Sequence, residues 1–228
     1  MEILRASLST CGTAAGLVVA IDVLRAYTTS AYLFDRGIEE IFLVSGVDDA
    51  LNLRKELPDC LLVGEVGGVK VPGFDFGNSP SEIVGRDLFG KRVIQRTSAG
   101  TQGVVLASNA GMILTAALTN LSATVRYIQK ISPQKVTFIQ TGLFPDEGWG
   151  DEDVACADAM EQMLSGRAVD SAAIARRVRL SRAGLRFDGT QPDFPAKDLE
   201  LALEFDRFDF AMLVEREHNL HVMRRIRA

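Results

Sequence analysis

Leu17-Val18-Val19-Ala20-Ile21-Asp22-Val23-Leu24-Arg25-Ala26-Tyr27-Thr28-Thr29 joins five apolar residues to a short stretch holding one acid, one guanidinium and two threonines. An apolar run without alternation suits a strand covered on both faces, as in a parallel or mixed sheet. Asp22 closes it. The spacing of Ala31, Leu33 and Phe34 predicts a helix over 28–36, ended by Gly37. The unit is therefore strand, polar loop, helix.

That unit recurs. A strand over 92–94 leads into QRTSAGTQG (95–103) and a helical stretch. A strand over 136–139 leads into QTGLFPDEGWGDED (140–153) and a helix over 154–164. Further strands are expected at 41–44, 61–63, 112–114 and 210–214, with helices at 48–56, 121–129 and 171–177. Such alternation predicts an α/β fold, a layered α/β/α arrangement on a mostly parallel or mixed sheet. We read 1–228 as one domain, any subdivision falling near residue 105. From about 166 onward the signal weakens to an Arg-rich stretch and a Pro/Asp/Gly-rich link over 188–195, read as sheet completion.

The 228 residues carry a formal charge of −5, which provides no general field for nucleic acid or an anionic membrane. The apolar run at 17–21 is too short to span a bilayer. Cys11, Cys60 and Cys156 lack metal-type spacing and sit among apolar residues, so each reads as a small core side chain in a reducing, cytoplasmic protein. A homodimer is left open.

In open α/β sheets ligands bind beyond the carboxyl ends of the strands. Asp22 and Arg25, Glu65, the 96–101 stretch and the acids Glu147, Asp151, Glu152 and Asp153 all fall there. GEVGGVKVPGFDFGNSP (64–80) holds five glycines, two prolines and three charges, Glu65, Lys70 and Asp75. It reads as a loop forming one wall of a site.

Arg25 precedes Thr28 and Thr29, and Arg96 precedes Thr97, Ser98, Gly100 and Thr101, a guanidinium ahead of hydroxyls at a helix start. That combination suits a phosphate, and plain N-capping is the alternative. Asp22, then Glu65 with Asp75, and members of the 151–153 cluster such as Asp153 are spread over separate predicted loops, as expected for a hard cation such as Mg²⁺. No HxH, CxxC or HExxH pattern competes. His218 and His221 read as exposed or half-buried, Cys156 as packed, and Trp149 either as a roof over the site or as cover for the core.

IDVLRAYTTSA (21–31), GEVGGVKVPGFDFGNSP (64–80), RTSAGTQG (96–103) and GDEDVACADA (150–159) together resemble the 2-phosphosulfolactate phosphatase family, in order over about residues 17–165. The resemblance implies a Mg²⁺-dependent acid-type phosphatase that converts (2R)-phospho-3-sulfolactate to 3-sulfolactate on the route to coenzyme M. In the third motif the family's Thr-Thr-Thr-Asn-Gly-Thr is replaced by Arg96-Thr97-Ser98-Ala99-Gly100-Thr101.

The combined expectation is hydrolysis of a small phosphate ester. Asp22, Glu65 and Arg25 are its catalytic candidates, and Asp22, Glu65, Asp75 and Asp153 its Mg²⁺ ligands. Thr28, Thr29, Lys70, Asn78, Arg96, Thr97, Ser98, Gly100 and Thr101 are its substrate contacts. An aspartyl-phosphate route through Asp22 would want a second acid two residues on, where Leu24 stands. Two other readings remain. One is a non-catalytic organophosphate or sulfonate binder. The other is an interaction subunit using the Arg176, Arg177, Arg179, Arg182 and Arg186 patch.

Overall fold

The apolar run at 17–21 is the centre of one half of a mixed sheet in the computed structural model, which describes residues 1–142 and 148–228. In chain order the elements begin with β1 (Glu2–Ala6), β2 (Gly16–Ile21), α1 (Ala26–Asp35), β3 (Ile41–Val44), α2 (Val47–Glu56) and β4 (Leu61–Val66). They continue through β5 (Val69–Lys70), α3 (Pro80–Ile83), β6 (Val93–Arg96), α4 (Gly100–Leu106), β7 (Ala110–Ala116) and α5 (Leu121–Ile131). They end with β8 (Lys135–Gln140), α6 (Asp151–Leu164), α7 (Ser171–Leu180), α8 (Ala196–Ala202), β9 (Phe210–Glu217) and β10 (Leu220–Arg227).

The strand order among the described residues is β1-β8-β2-β7-β9-β10-β3-β6-β4-β5. Neighbours within β1-β8-β2-β7 are parallel, as are those within β3-β6-β4. The antiparallel hairpin β9-β10 joins the two blocks, pairing β7 on one side and β3 on the other. This is the layered α/β arrangement expected from the alternation of strands and helices.

Side-chain alternation sorts the strands onto two covered faces. In β2, Leu17, Val19 and Ile21 face a core beneath α5, α6 and α7, whereas Val18 and Ala20 face the other way. In β3, Phe42 and Val44 pack toward α2, and Ile41 and Leu43 join Val18 and Ala20 in one shared core. Between the halves runs α1, whose residues from Ala26 to Phe34 are all buried. A helix with no polar face belongs in an interior. Both crossovers between the blocks, β2-α1-β3 and β6-α4-β7, pack into this shared layer, and α4 touches both β2 and β3.

Several boundaries differ from expectation. Helix α1 starts at Ala26 rather than 28, because its hydroxyls are tied inside it: Thr28 Oγ1 donates to Val23 O (2.8 Å) and Ser30 Oγ to Ala26 O (2.9 Å). The 64–80 segment is not one loop. Glu65 and Val66 extend β4, and the turn Gly67-Gly68, with φ of 62° and 90°, returns the chain as β5. Two consecutive positive φ values give the primed turn that two-residue hairpins favour.

The 166–228 region does complete the sheet, through β9 and β10, but its middle forms α7, α8 and a short turn over 184–186. Strands β1 and β10 carried no sequence signal, since Glu2, Arg5, Arg224, Arg225 and Arg227 interrupt their apolar pattern. His218 is exposed in the β9-β10 turn and His221 is half-buried, in line with expectation. All three cysteines are buried and unpaired. Burial pushes the Cys156 thiol well above its usual range, so it stays a neutral packing group. Among the described residues no helix is long and apolar enough to cross a membrane.

Candidate active site

A cleft of about 210 Å³ opens where β2, β4 and β6 end, lined by residues that include Asp22, Arg25, Glu65, Asn78, Ser98 and Arg186. Strands β2 and β6 are five steps apart in the sheet. At the usual twist of roughly 20–25° per step, their directions rotate by on the order of 100°. Strands that run opposite ways in the sheet thus deliver their carboxyl ends to one cleft.

Asp22 is buried, 5 % exposed, at the end of β2. Its Oδ1 accepts from Ala26 N (2.9 Å), and Thr141 Oγ1 donates to Oδ2 (3.4 Å). Burial pushes its pKa up to about 6; the negative charge of Glu65 adds to the rise, while the Ala26 backbone and Thr141 hydroxyl oppose it. Gly100 presses against this carboxyl. A Cβ there would stand 2.5 Å from Ala26 Cβ and 2.8 Å from Asp22 Oδ2, so only glycine lets α4 approach.

Glu65 faces the same cleft from the end of β4. Its Oε1 accepts from Ser98 N (2.5 Å), and its Oε2 accepts from Gly68 N (2.6 Å) and Ser98 Oγ (3.0 Å). The β4-β5 turn and the start of α4 are therefore stitched to one carboxylate. Arg96 strengthens the stitch rather than entering the cleft: its Nη1 donates to Glu65 O (2.6 Å) and its Nε to Ser45 O (3.0 Å).

Arg25 lies in the cleft wall, 4 % exposed. Its Nη1 donates to Asp198 Oδ2 (2.7 Å) and Asp193 O (2.9 Å), and its Nη2 to Gly68 O (3.0 Å). The rings of Phe187 and Phe194 flank it, each 5.1 Å away. Asn78 also lines the cleft, its amide oxygen buried without a partner among the described residues.

The remaining candidates sit elsewhere. Asp75 is largely exposed and accepts from Leu62 N (2.7 Å) and Arg54 Nη1 (3.5 Å), closing the outer edge of β4. Lys70 pairs opposite Glu65 in the β4-β5 hairpin, yet its Nζ donates to Asp75 O (2.8 Å). Thr28 and Thr29 are buried within α1, and Thr97 and Thr101 bond each other, Thr101 N to Thr97 Oγ1 at 3.0 Å and Thr97 N to Thr101 Oγ1 at 3.0 Å. None of these six lines the cleft. Propensity explains why they read as ligands: short hydroxyls and loop charges serve turns and caps as readily as phosphates.

Asp153 is buried and behaves as a staple. Its Oδ1 accepts from Val23 N (2.9 Å) and its Oδ2 from Gly142 N (2.7 Å), fixing the segments after β2 and β8. Beside it, Glu152 is buried with Oε2 unpartnered among the described residues, and burial with the nearby Asp22 charge pushes its pKa up to about 7. Burial, with Asp22 and Glu152, raises Asp153 well above the carboxylate range. Asp151 instead binds Arg177 at the surface. Glu147 lies outside the described residues.

The cleft's donors are oxygens, with an orphaned carboxylate oxygen nearby on Glu152, which is the chemistry a hard cation accepts. Among the described residues, however, no three Asp, Glu, His or Cys side chains converge at ligating distance. A Mg²⁺ ion needs only one or two carboxylates when waters and a phosphate complete its shell. Asp22 and Glu65 are the two carboxylates that line the cleft among the described residues.

Sequence reasoning missed Ala183, Arg186, Phe187 and Phe194, which close the cleft from the far end of the chain. It also missed Asp198, partner of Arg25. They fall in the weakly patterned 183–198 stretch, where the sequence showed only the end of the Arg-rich patch and a Pro/Asp/Gly-rich link. The basic patch does not persist as one surface: Arg177 pairs with Asp151 and Asp158, Arg182 stacks on Trp149 at 4.4 Å, and Arg186 turns to the cleft. Trp149 is half-buried beside the cleft's arginines.

Comparison with known proteins identifies relatives over most of the chain. The model of the family described as 2-phosphosulpholactate phosphatase matches residues 4–215. A Bacillus subtilis protein named probable 2-phosphosulfolactate phosphatase is 31% identical over 214 residues, covering 93% of this chain and 92% of the relative. A Thermoplasma volcanium protein of the same name is 30% identical over 191 residues, 84% of this chain and 85% of its own length. One from Deinococcus radiodurans is 36% identical over 149 residues, 65% of this chain and 61% of the relative. With the match running from β1 into β9 and so taking in every strand that feeds the cleft, the chain belongs to the 2-phosphosulpholactate phosphatase family.

Proposed function

We propose that this protein hydrolyses a small phosphate monoester in the Asp22–Glu65 cleft, with 2-phospho-3-sulfolactate as the family's substrate and 3-sulfolactate and phosphate as products. The observation that carries the reading is the pair of buried carboxylates, on separate strands, facing one cleft of about 210 Å³. That volume suits a ligand of a few carbons.

Asp22 is placed to exchange a proton. Without a cation its pKa of about 6 keeps both protonation states accessible near neutrality; a cation bound beside it would hold it ionised, as a general base requires. Glu65 holds its orientation through three donors from two elements, so it supplies a fixed negative charge rather than a mobile one. Leu24 occupies the position of the second acid that an aspartyl-phosphate mechanism would want, which favours direct attack by water. Phe187, Phe194 and Leu24 give the cleft apolar walls, where charge interactions strengthen.

Two carboxylates repel a phosphate dianion unless a cation intervenes. This supports the expected Mg²⁺ dependence, with Asp22 and Glu65 as the residues that would hold the ion. Bound there, Mg²⁺ would neutralise charge on the phosphoryl oxygens. Asp153 then acts by holding Val23, and so Asp22, in place.

Phosphate release from 2-phospho-3-sulfolactate, with Mg²⁺ and with EDTA, tests this. Asp22→Asn and Glu65→Gln should each lose on the order of 10²–10⁴ in kcat. Undiminished turnover in both variants would remove the roles assigned here, and EDTA-insensitive turnover would remove the metal.

A further inference from the structure

Two arginines face the cleft, and their circumstances differ. Arg25 is balanced by the buried carboxylate of Asp198 and donates to two carbonyls. Arg186 is half-buried, and among the described residues no carboxylate or carbonyl accepts from its guanidinium. Its partners are aromatic faces. The guanidinium lies 3.7 Å from the Phe194 ring centroid and 5.8 Å from that of Trp149.

Phe194 also takes Arg25 on its ring, at 5.1 Å, so the two cations stand close over one aromatic. Stacking holds a guanidinium plane without occupying its N–H fork, leaving those donors for a ligand. Asp198 compensates only Arg25. Among the described residues no carboxylate pairs directly with Arg186, and Glu65 acts on it only as a neighbouring charge.

We infer that Arg186 is a specificity-determining residue: its guanidinium receives the second anionic group, carboxylate or sulfonate, of the phosphate monoester held by the Asp22–Glu65 cleft. The inference deepens the phosphatase reading, on which the phosphate's position rests. A planar fork of donors suits either anion, since both present two coplanar or near-coplanar oxygens. Burial and the neighbouring Arg25 charge make Arg186 hold its proton less firmly than a free arginine, and an incoming anion would reverse both effects. Among the described residues Arg186 makes no hydrogen bond to Asp22 or Glu65, so its removal breaks none of the bonds that hold the proposed catalytic pair.

The test compares substrates with and without the second anion. Arg186→Gln should lower kcat/KM for 2-phospho-3-sulfolactate about 10- to 100-fold, chiefly through KM, the loss expected when a charge-assisted hydrogen bond disappears. With p-nitrophenyl phosphate, which lacks the second anion, the change should stay within about threefold. Arg186→Lys should recover part of the loss, since the charge returns without the fork. Equal losses on both substrates, or no loss on either, overturn the inference.

Calorimetry separates this proposal from the phosphatase reading. 3-Sulfolactate and lactate carry no phosphate, and their binding to wild type and its loss in a folded Arg186→Gln protein support the role of Arg186 even if no ester is hydrolysed. Binding unchanged by the substitution, or no binding of either probe to wild type, overturns it. Sulfolactate losing more than lactate assigns the contact to the sulfonate, and equal losses assign it to the carboxylate.

Discussion

Asp22 stores a conflict between stability and use. Its carboxyl, and that of Glu152, are raised from 3.8 to about 6 and from 4.5 to about 7 by burial, so the folded protein binds protons more tightly than the unfolded chain. The sign follows from linkage: stability from these groups is complete below about pH 4 and is lost as pH rises through the folded values, to about pH 7. Two pKa units correspond to about 3 kcal/mol, an upper figure for Asp22. In EDTA, the melting temperature of Asp22→Asn should therefore gain on that of wild type as pH is raised from 4 to 7. A difference that is constant across this range would deny the raised pKa. The same substitution should silence turnover, which is the usual relation between a strained catalytic group and the fold that carries it.

At the scale of elements, the cleft is held by loops that carboxylates tie together. Asp198, in the first turn of α8, accepts from Arg25 Nη1 (2.7 Å), Ser79 Oγ (2.8 Å) and Ser81 N (2.9 Å), joining α8 to α3 and to the residue just ahead of α1. Removing one partner of such a buried pair costs about 3–5 kcal/mol, because the other charge is left uncompensated. Asp198→Ala should lower the melting temperature by on the order of 10 °C. A drop of only a degree or two, seen by scanning calorimetry, would deny the tie. Asp75 is the contrasting case: it closes the edge of β4 at Leu62, outside the cleft, so Asp75→Ala should leave kcat within about twofold of wild type. A hundredfold loss in a steady-state assay would return it to the metal site.

At the scale of the molecule, one core spans both blocks of the sheet. Residues of α1, among them Tyr27, Leu33 and Phe34, pack with Val18 and Ala20 of one block and Ile41, Leu43 and Val93 of the other. The blocks therefore share side chains that neither could bury alone. Urea unfolding should show a single transition, with far-UV circular dichroism and Trp149 fluorescence coincident. Leu33→Ala should shift that transition by about 2–5 kcal/mol without splitting it. Two separate transitions would mean that the blocks fold independently.

The sequence alone makes legible the strands at 17–21 and 41–44, apolar along their whole length because both faces are covered, and the one at 136–139, where Thr137 is the single polar residue. It likewise marked Asp22 and Ser98 just beyond strand ends, Glu65 near the end of β4, Asn78 ahead of α3 and Gly100 at the start of α4, where backbone geometry and chemistry demand particular residue types. Only the tertiary structure decided that Asp75, Lys70 and Thr28 serve edges and helix interiors, since a hydroxyl or a charge carries no mark of the direction it faces. Only the tertiary structure brought Arg186 and Asp198 to Asp22 and Arg25: these contacts span more than 160 residues of chain, and the accumulated twist of a sheet, which no local pattern encodes, makes them neighbours.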